Sequence, residues 1–117
     1  MPRTTMTTLA IAGTLLLGTI GSAAAADPIL GKWRAPGGGI VQVETCGGGY
    51  CATVISGKHK GKAAGEMQGA NGEYSGTVID PRDDKTYSGS ASIDGDRMSL
   101  KGCALKIFCK TQTWVRV

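Results

Sequence analysis

The stretch TYSGSASIDGDRMSL, residues 86–100, carries the clearest strand signal in the chain. Up to the turn at Asp94–Asp96, apolar or small residues alternate with polar ones, most of them serine. After the turn, Met98 and Leu100 alternate with polar residues in the same way. Such alternation is typical of a strand with one buried face, and an Asp-Gly turn between two such runs is typical of a hairpin. We therefore predict an antiparallel β-hairpin here.

Shorter runs of the same character predict further strands, and no segment after residue 26 has a helical period. These runs lie around residues 32–34, 40–44, 51–55, 73–80 and 111–117. Together with the hairpin they give about seven short strands joined by turns, which is typical of a small antiparallel meander barrel or sandwich. The glycine-rich segment 57–72 is predicted to be a loop, with a poor strand between turns as the alternative.

The first 26 residues have the composition of a secretory signal peptide. Arg3 precedes an uncharged apolar run, residues 9–20, and small residues follow at 22–26. The run is shorter than the roughly 20 residues that a membrane-spanning helix needs, so no stable membrane anchor is expected. We predict cleavage after Ala26 and a single periplasmic or secreted domain, residues 27–117.

The charge of that domain argues against one class of partner. Without Arg3 the chain has 12 basic and 9 acidic residues. The basic residues are scattered, apart from Lys58, Lys60 and Lys62. A nucleic-acid-binding surface needs a denser basic stripe, so no nucleic-acid partner is predicted.

The four cysteines of the chain are Cys46, Cys51, Cys103 and Cys109. In a small exported domain they are expected to form disulfides. Three pairings are open to them, and local spacing suggests Cys46–Cys51 and Cys103–Cys109. A zinc site would need closer paired spacings, and a redox centre would need two intervening residues at a helix start. We therefore predict disulfide staples and no metal.

A second motif joins the two ends of the domain. Gly31 and Trp33 lie near its start, while Trp114 and Arg116 lie near its end. Since Trp114 and Arg116 are two residues apart in a predicted strand, their side chains share a face. A guanidinium can stack over an indole there. We predict that these residues close one end of the barrel, with direct ligand contact as the alternative.

The G-x-W motif with an arginine near the last strand resembles the closure signature of lipocalin and calycin barrels. Three longer segments resemble the bacterial domain-of-unknown-function family 2147: GKWRAPGGGIVQVETCGGGYCATVISG, GTVIDPRDDKTYSG and KGCALKIFCKTQTWVRV. The resemblance covers nearly all of residues 27–117. It implies a small exported β-barrel with a lipocalin-like fold, and it carries no established activity.

A barrel of this kind suggests a binding protein for a small, partly apolar ligand. The predicted inward-facing residues include valines 41, 43 and 78, with Ile93 and Leu100. The candidate lining residues for a ligand are Trp33, Tyr74, Tyr87, Met98 and Trp114. In so small a domain, we expect these side chains to leave the core filled or nearly filled.

The alternative function is a protein-binding module, such as an inhibitor of a cell-envelope hydrolase. Its candidate contact surfaces are Tyr50 in the first cysteine loop, the basic loop 58–62, and the pair Ile107–Phe108. The short cysteine loop around that pair could hold it out as a contact site. We expect the pair to tuck under the barrel as a plug instead.

Nothing in the sequence predicts an enzyme or a cofactor. His59 is the single histidine, and it lies in a lysine-rich loop with no predicted partner for acid–base chemistry. The aspartates at 80, 83 and 84 and at 94 and 96 do not follow a calcium-loop pattern, and aspartate is common in β-turns.

Overall fold

The computed structural model describes residues 27–105 and 107–117. The predicted signal peptide, residues 1–26, lies outside this part of the chain. The described residues form eight strands and no helix. The strands are β1 (Gly31–Arg34), β2 (Ile40–Cys46), β3 (Gly49–Val54), β4 (Ala63–Ala70), β5 (Glu73–Asp80), β6 (Lys85–Asp94), β7 (Arg97–Ala104) and β8 (Phe108–Arg116). Within these ranges no helix is long and apolar enough to cross a membrane.

The strands form one closed antiparallel barrel in which each strand pairs with its neighbours in the sequence. The short first strand completes the circle, because Trp33 pairs with Arg116 and Arg34 with Val115. The predicted hairpin is present as β6 and β7, with Asp94 opposite Arg97 and Gly95 at φ 60°. The predicted all-β meander barrel is therefore confirmed.

The prediction of a loop over residues 57–72 was wrong, since β4 lies within it. This strand pairs with β3 on one side and β5 on the other, and it buries Ala64 and Met67. Its sequence, AAGEMQGA, lacks the β-branched residues that usually mark a strand. Gly69 also has φ 144°, a conformation that other residues rarely adopt. Pairing on both sides holds the segment extended despite its composition.

The up-and-down order of the strands places alternate connections at opposite ends of the barrel. The turns β2–β3, β4–β5 and β6–β7 lie at one end together with residues 27–30; we call this the closed end. The connections β1–β2, β3–β4, β5–β6 and β7–β8 lie at the other end, the mouth. The buried apolar side chains fill the barrel mainly below the mouth: Ile29, Trp33, Val41, Val43, Val54, Ala64, Met67, Tyr74, Ala91, Met98, Leu100 and Trp114.

Two disulfides connect neighbouring strands, one at each end of the barrel. Cys46–Cys51 joins β2 to β3 at the closed end, with the two Cα atoms 5.7 Å apart. Cys103–Cys109 joins β7 to β8 at the mouth, with the Cα atoms 4.0 Å apart. These are the two pairs that local spacing suggested.

Candidate functional site

The closed end is sealed by Trp33 and by the chain that precedes it. Trp33 has 0% of its surface exposed. Its indole Nε1 donates a hydrogen bond to the carbonyl oxygen of Ile29 at 3.0 Å, which holds residues 27–30 across the end of the barrel. Ile29 is itself buried there. A ligand therefore has no entry at this end.

Arg116 fastens the same seal from the last strand. Its guanidinium carbon lies 4.2 Å from the centre of the Trp33 ring. The guanidinium also donates hydrogen bonds to the carbonyl oxygens of Leu30 at 3.0 Å and Pro28 at 2.8 Å. Sequence spacing placed Arg116 beside Trp114 of its own strand, but the stacked indole is that of Trp33. The pairing of Trp33 with Arg116 across the closing β1–β8 contact explains the difference.

A tyrosine pair completes the closed end. The Tyr74 hydroxyl donates a hydrogen bond to the Asp27 carboxylate and accepts one from the backbone N–H of Gly72. The Tyr50 ring packs edge-on against Tyr74, with the ring centres 5.6 Å apart. Partial burial raises the pKa of the Tyr50 phenol above its ordinary value, and the nearby Asp27 carboxylate raises it further. The Tyr74 side chain therefore helps to close this end of the barrel.

The mouth, in contrast, opens into a large cavity of about 940 Å³. Val41, Val54, Leu100 and Trp114 are buried at its base. Its rim comes from all four mouth connections, through residues 35–37, 39, 56–59, 79–82, 104 and 107–110. Deeper in the barrel a separate cavity measures only about 30 Å³, room for roughly one water molecule. The barrel is therefore filled toward the closed end and hollow toward the mouth.

The predicted lining residues divide between these two regions. Tyr87 lines the mouth cavity, and Trp114 lines both the mouth cavity and the small inner cavity. Met98 borders the small inner cavity, and Trp33 and Tyr74 belong to the closed end. The mouth cavity is also bordered by residues that the sequence analysis did not select, among them Val54, Ala64, Gly102, Lys110 and Gln112. The alternation of β8 could have indicated Lys110 and Gln112, because both share the face of Trp114.

Basic side chains outnumber acidic ones in the lining of the mouth cavity, where Asp80 is the acidic residue. Lys58, Arg82 and Lys110 line the cavity. Arg82 pairs with Asp80. It donates hydrogen bonds to the carboxylate from Nη2 to Oδ2 at 2.6 Å and from Nε to Oδ1 at 3.0 Å. These hydrogen bonds hold the pKa of the Asp80 carboxyl at about 2, below its ordinary value. In the described part of the chain, Lys58 and Lys110 form no ion pair.

Replacing Arg82 by glutamine should raise the pKa of Asp80 from about 2 toward the ordinary value for aspartate. The hydrogen bonds that favour the ionised carboxylate are then lost. Because the native pKa is depressed, this pair stabilises the fold above the ordinary carboxyl pKa, and that contribution is lost as the pH falls toward 2. An NMR titration of the Asp80 carboxyl carbon measures the shift. Lys32→Gln is the control, since Lys32 is exposed on β1, away from Asp80, and its loss should leave Asp80 unchanged.

Beside the opening, the β7–β8 connection projects three apolar side chains into solvent. Leu105 is 81% exposed, Ile107 74% and Phe108 67%. The expectation that Ile107 and Phe108 tuck under the barrel was wrong. The connection is short, and the Cys103–Cys109 disulfide fixes its base at the rim. Ile107 and Phe108 lie at the edge of the mouth cavity and remain largely exposed there.

Nothing in the described ranges 27–105 and 107–117 arranges three or more histidine, cysteine or acidic side chains to hold a metal ion. His59 lies half-buried on the rim of the mouth cavity.

Comparison with known proteins gives one match. Residues 62–116 match a family described as uncharacterized protein conserved in bacteria (DUF2147). The matched segment contains all of β4 to β8, and with them Tyr87, Trp114 and Arg116. No curated protein and no solved structure matches significantly. Residues 62–116, which contain β4 to β8, therefore match the bacterial family that the sequence motifs resemble.

Proposed function

We propose that this protein is an exported, non-catalytic binding protein that takes a small, partly apolar molecule into the mouth of its barrel. The observation that carries the proposal is the cavity of about 940 Å³, open at one end of a barrel whose other end is sealed. Ligand pockets commonly have volumes of about 300–1,000 Å³.

The lining of the cavity fits such a ligand. Apolar side chains form its base and much of its wall, including Val54, Val78 and Leu100. The Trp114 indole Nε1 donates to Gln112 Oε1 at 2.9 Å, so this buried donor is already satisfied. An apolar group entering here leaves no unsatisfied indole N–H. At the rim, Lys58 and Lys110 offer charges to a polar or anionic end of the ligand.

Export is supported by the disulfides and by the N-terminal sequence. The domain is small and contains two disulfides, and small disulfide-bonded domains are typical of proteins from oxidising compartments. Residues 1–26 have the charge, apolar run and small residues of a signal peptide. The proposed location is the periplasm or the extracellular medium.

Placing a large side chain at Gly102, inside the cavity, should weaken ligand binding. A Cβ at Gly102 would lie 3.8 Å from Tyr87 Cβ and 3.9 Å from Val78 Cβ, which are ordinary contacts. Gly102→Phe can therefore extend its ring into the open space without moving the backbone. With anilinonaphthalene sulfonate, an apolar anion, as the probe, we expect binding at least ~10-fold weaker, a loss of about 1.4 kcal/mol. Probe fluorescence measures the titration.

Thr113→Phe is the matched control, because Thr113 is exposed on β8 and does not line the cavity. It should bind the probe like the original protein. Equal binding by Gly102→Phe and Thr113→Phe would contradict the proposal. Native mass spectra of the oxidised protein from a periplasmic extract provide a second test. An added mass that disappears on denaturation supports a natural ligand and gives its weight.

A further inference from the structure

We propose that the mouth of the barrel docks onto an anionic lipid surface, with the apolar tip entering the bilayer first. The apolar tip is the set Leu105, Ile107 and Phe108. This inference goes beyond ligand binding and does not depend on it. Two independent features of the described residues carry it: where the exposed apolar side chains lie, and how charge is divided between the two ends of the barrel.

The exposed apolar surface is concentrated at the tip. Five large apolar side chains are exposed in the described part of the chain, and three of them form the tip. The other two, Val115 and Val117, lie toward the closed end. Leu105 holds a left-handed backbone with φ 53°, which is unusual for a residue other than glycine, asparagine or aspartate. A constrained turn that presents apolar side chains to water is typical of a contact site.

Basic charge is concentrated at the same end. The acidic residues of the mouth connections are each near a cation: Asp80 with Arg82, Asp83 with Lys85 and Asp84 with Lys62. Lys58, Lys60 and Lys110 form no ion pair with a described carboxylate, and all three are exposed. The mouth thus carries an excess of positive charge. Lys110 lies on β8 near the apolar tip, and Lys58 and Lys60 lie on the β3–β4 connection across the opening.

The closed end has the opposite balance. Its turns and the chain that covers it carry the acidic residues Asp27, Glu44, Glu73, Asp94 and Asp96. The basic residues nearest to them are Lys32, Arg97 and Arg116. A negatively charged surface therefore attracts the mouth and repels the closed end, which orients the barrel before contact.

An anionic bilayer fits both features together. Its charged headgroups complement the dispersed lysines, and its acyl region accepts apolar side chains without requiring a matching shape. The Cys103–Cys109 disulfide fixes the tip at the rim, so docking would also bring the cavity opening to the membrane surface. An amphiphile could then pass between the bilayer and the cavity with little exposure to water.

The test is flotation of the full oxidised protein with vesicles of phosphatidylglycerol mixed with phosphatidylcholine, compared with phosphatidylcholine alone. We expect partition at least ~10-fold stronger on the anionic vesicles and weaker at high salt. The double variant Ile107→Ser/Phe108→Ser should lose ~10-fold or more of that partition, because its apolar contact is removed. Lys58→Glu/Lys60→Glu should lose a similar factor on anionic vesicles. Val117→Ser is the matched control, since Val117 is 58% exposed at the other end.

Phe108→Trp gives a readout that does not depend on loss of binding. Its emission should shift to the blue on anionic vesicles and be quenched by lipids brominated in the acyl chain. Absence of partition, equal partition on both vesicle types, or an equal loss in Val117→Ser would overturn the inference. Specific binding of a protein through the tip, without partition on vesicles, would also overturn it. Vesicle binding and probe binding are separate measurements, so either proposal can fail alone.

Discussion

Replacing Trp33 by alanine is expected to lower the free energy of unfolding by about 3–5 kcal/mol, the range for removal of a large buried aromatic side chain. The indole has no exposed surface, and its removal would eliminate three interactions. It packs in the core, it donates a hydrogen bond to Ile29, and it lies under the Arg116 guanidinium. Small domains have about 5–15 kcal/mol of stability in total, so the variant should be close to unfolding.

Urea unfolding of the oxidised protein, followed by circular dichroism, measures this loss. Trp114→Ala is the matched control, because the same atoms are removed from a site that borders open space. Trp114 is buried, yet it has the mouth cavity on one side, so its side chain has fewer packing partners to lose. We expect a clearly smaller loss there. Equal losses at the two positions would mean that the closed end is not the stabilising half of the barrel.

Alternating sequence patterns were sufficient to predict the barrel because most strands bury one face. The hairpin of β6 and β7 shows this plainly: Ala91, Met98 and Leu100 are buried, and the serines at 90 and 99 are exposed. The prediction failed at β4, where alanine and glycine carry little strand signal. That segment is held extended by its two neighbours, and a partner strand cannot be read from local composition.

The candidate site was harder to predict, because the inward face of a strand does not say how deep a residue lies. Tyr74 and Tyr87 both alternate inward, yet Tyr74 reaches Asp27 at the closed end and Tyr87 borders the mouth. Depth depends on strand direction and register around the whole barrel. The sequence analysis named Ile107 and Phe108 as a possible contact site but wrongly favoured their burial, for a similar reason. Whether a short apolar loop covers the barrel or projects from it depends on the length of the neighbouring rim.

Under the proposed function, the two ends of the barrel perform different tasks. The closed end contains the Trp33 and Tyr74 hydrogen bonds and the Arg116 contacts, and it supplies stability. The mouth contains the cavity and lysines that pair with no carboxylate in the described part of the chain, and its side chains are less closely packed. Substitutions at the closed end should act on folding, and conservative substitutions at the mouth should act on binding.

Gly76→Ala should lower the free energy of unfolding by about 2–3 kcal/mol, at the upper end of the range for overpacked sites. Gly76 on β5 lies opposite Met67 on β4. A Cβ there would collide with the carbonyl oxygen of Glu66 and would lie 2.9 Å from Met67 Cα. Both obstacles are backbone atoms, so the two strands themselves must separate. Gly76 does not have a left-handed backbone, so alanine is not strained there by its φ angle. The expected loss of stability therefore comes from the close approach of the two strands.

Gly48→Ala separates that effect from the loss of a glycine as such. Gly48 also lacks a left-handed backbone, and a Cβ there would meet no atom within 4 Å. Since alanine restricts the unfolded chain, this control should be neutral or more stable by up to about 1 kcal/mol. Urea unfolding of both variants gives the comparison. If Gly76→Ala were as stable as Gly48→Ala, the close approach of β4 and β5 would not be required by the barrel. If it is destabilised as expected, the glycine is retained because two strand backbones meet where a side chain would stand.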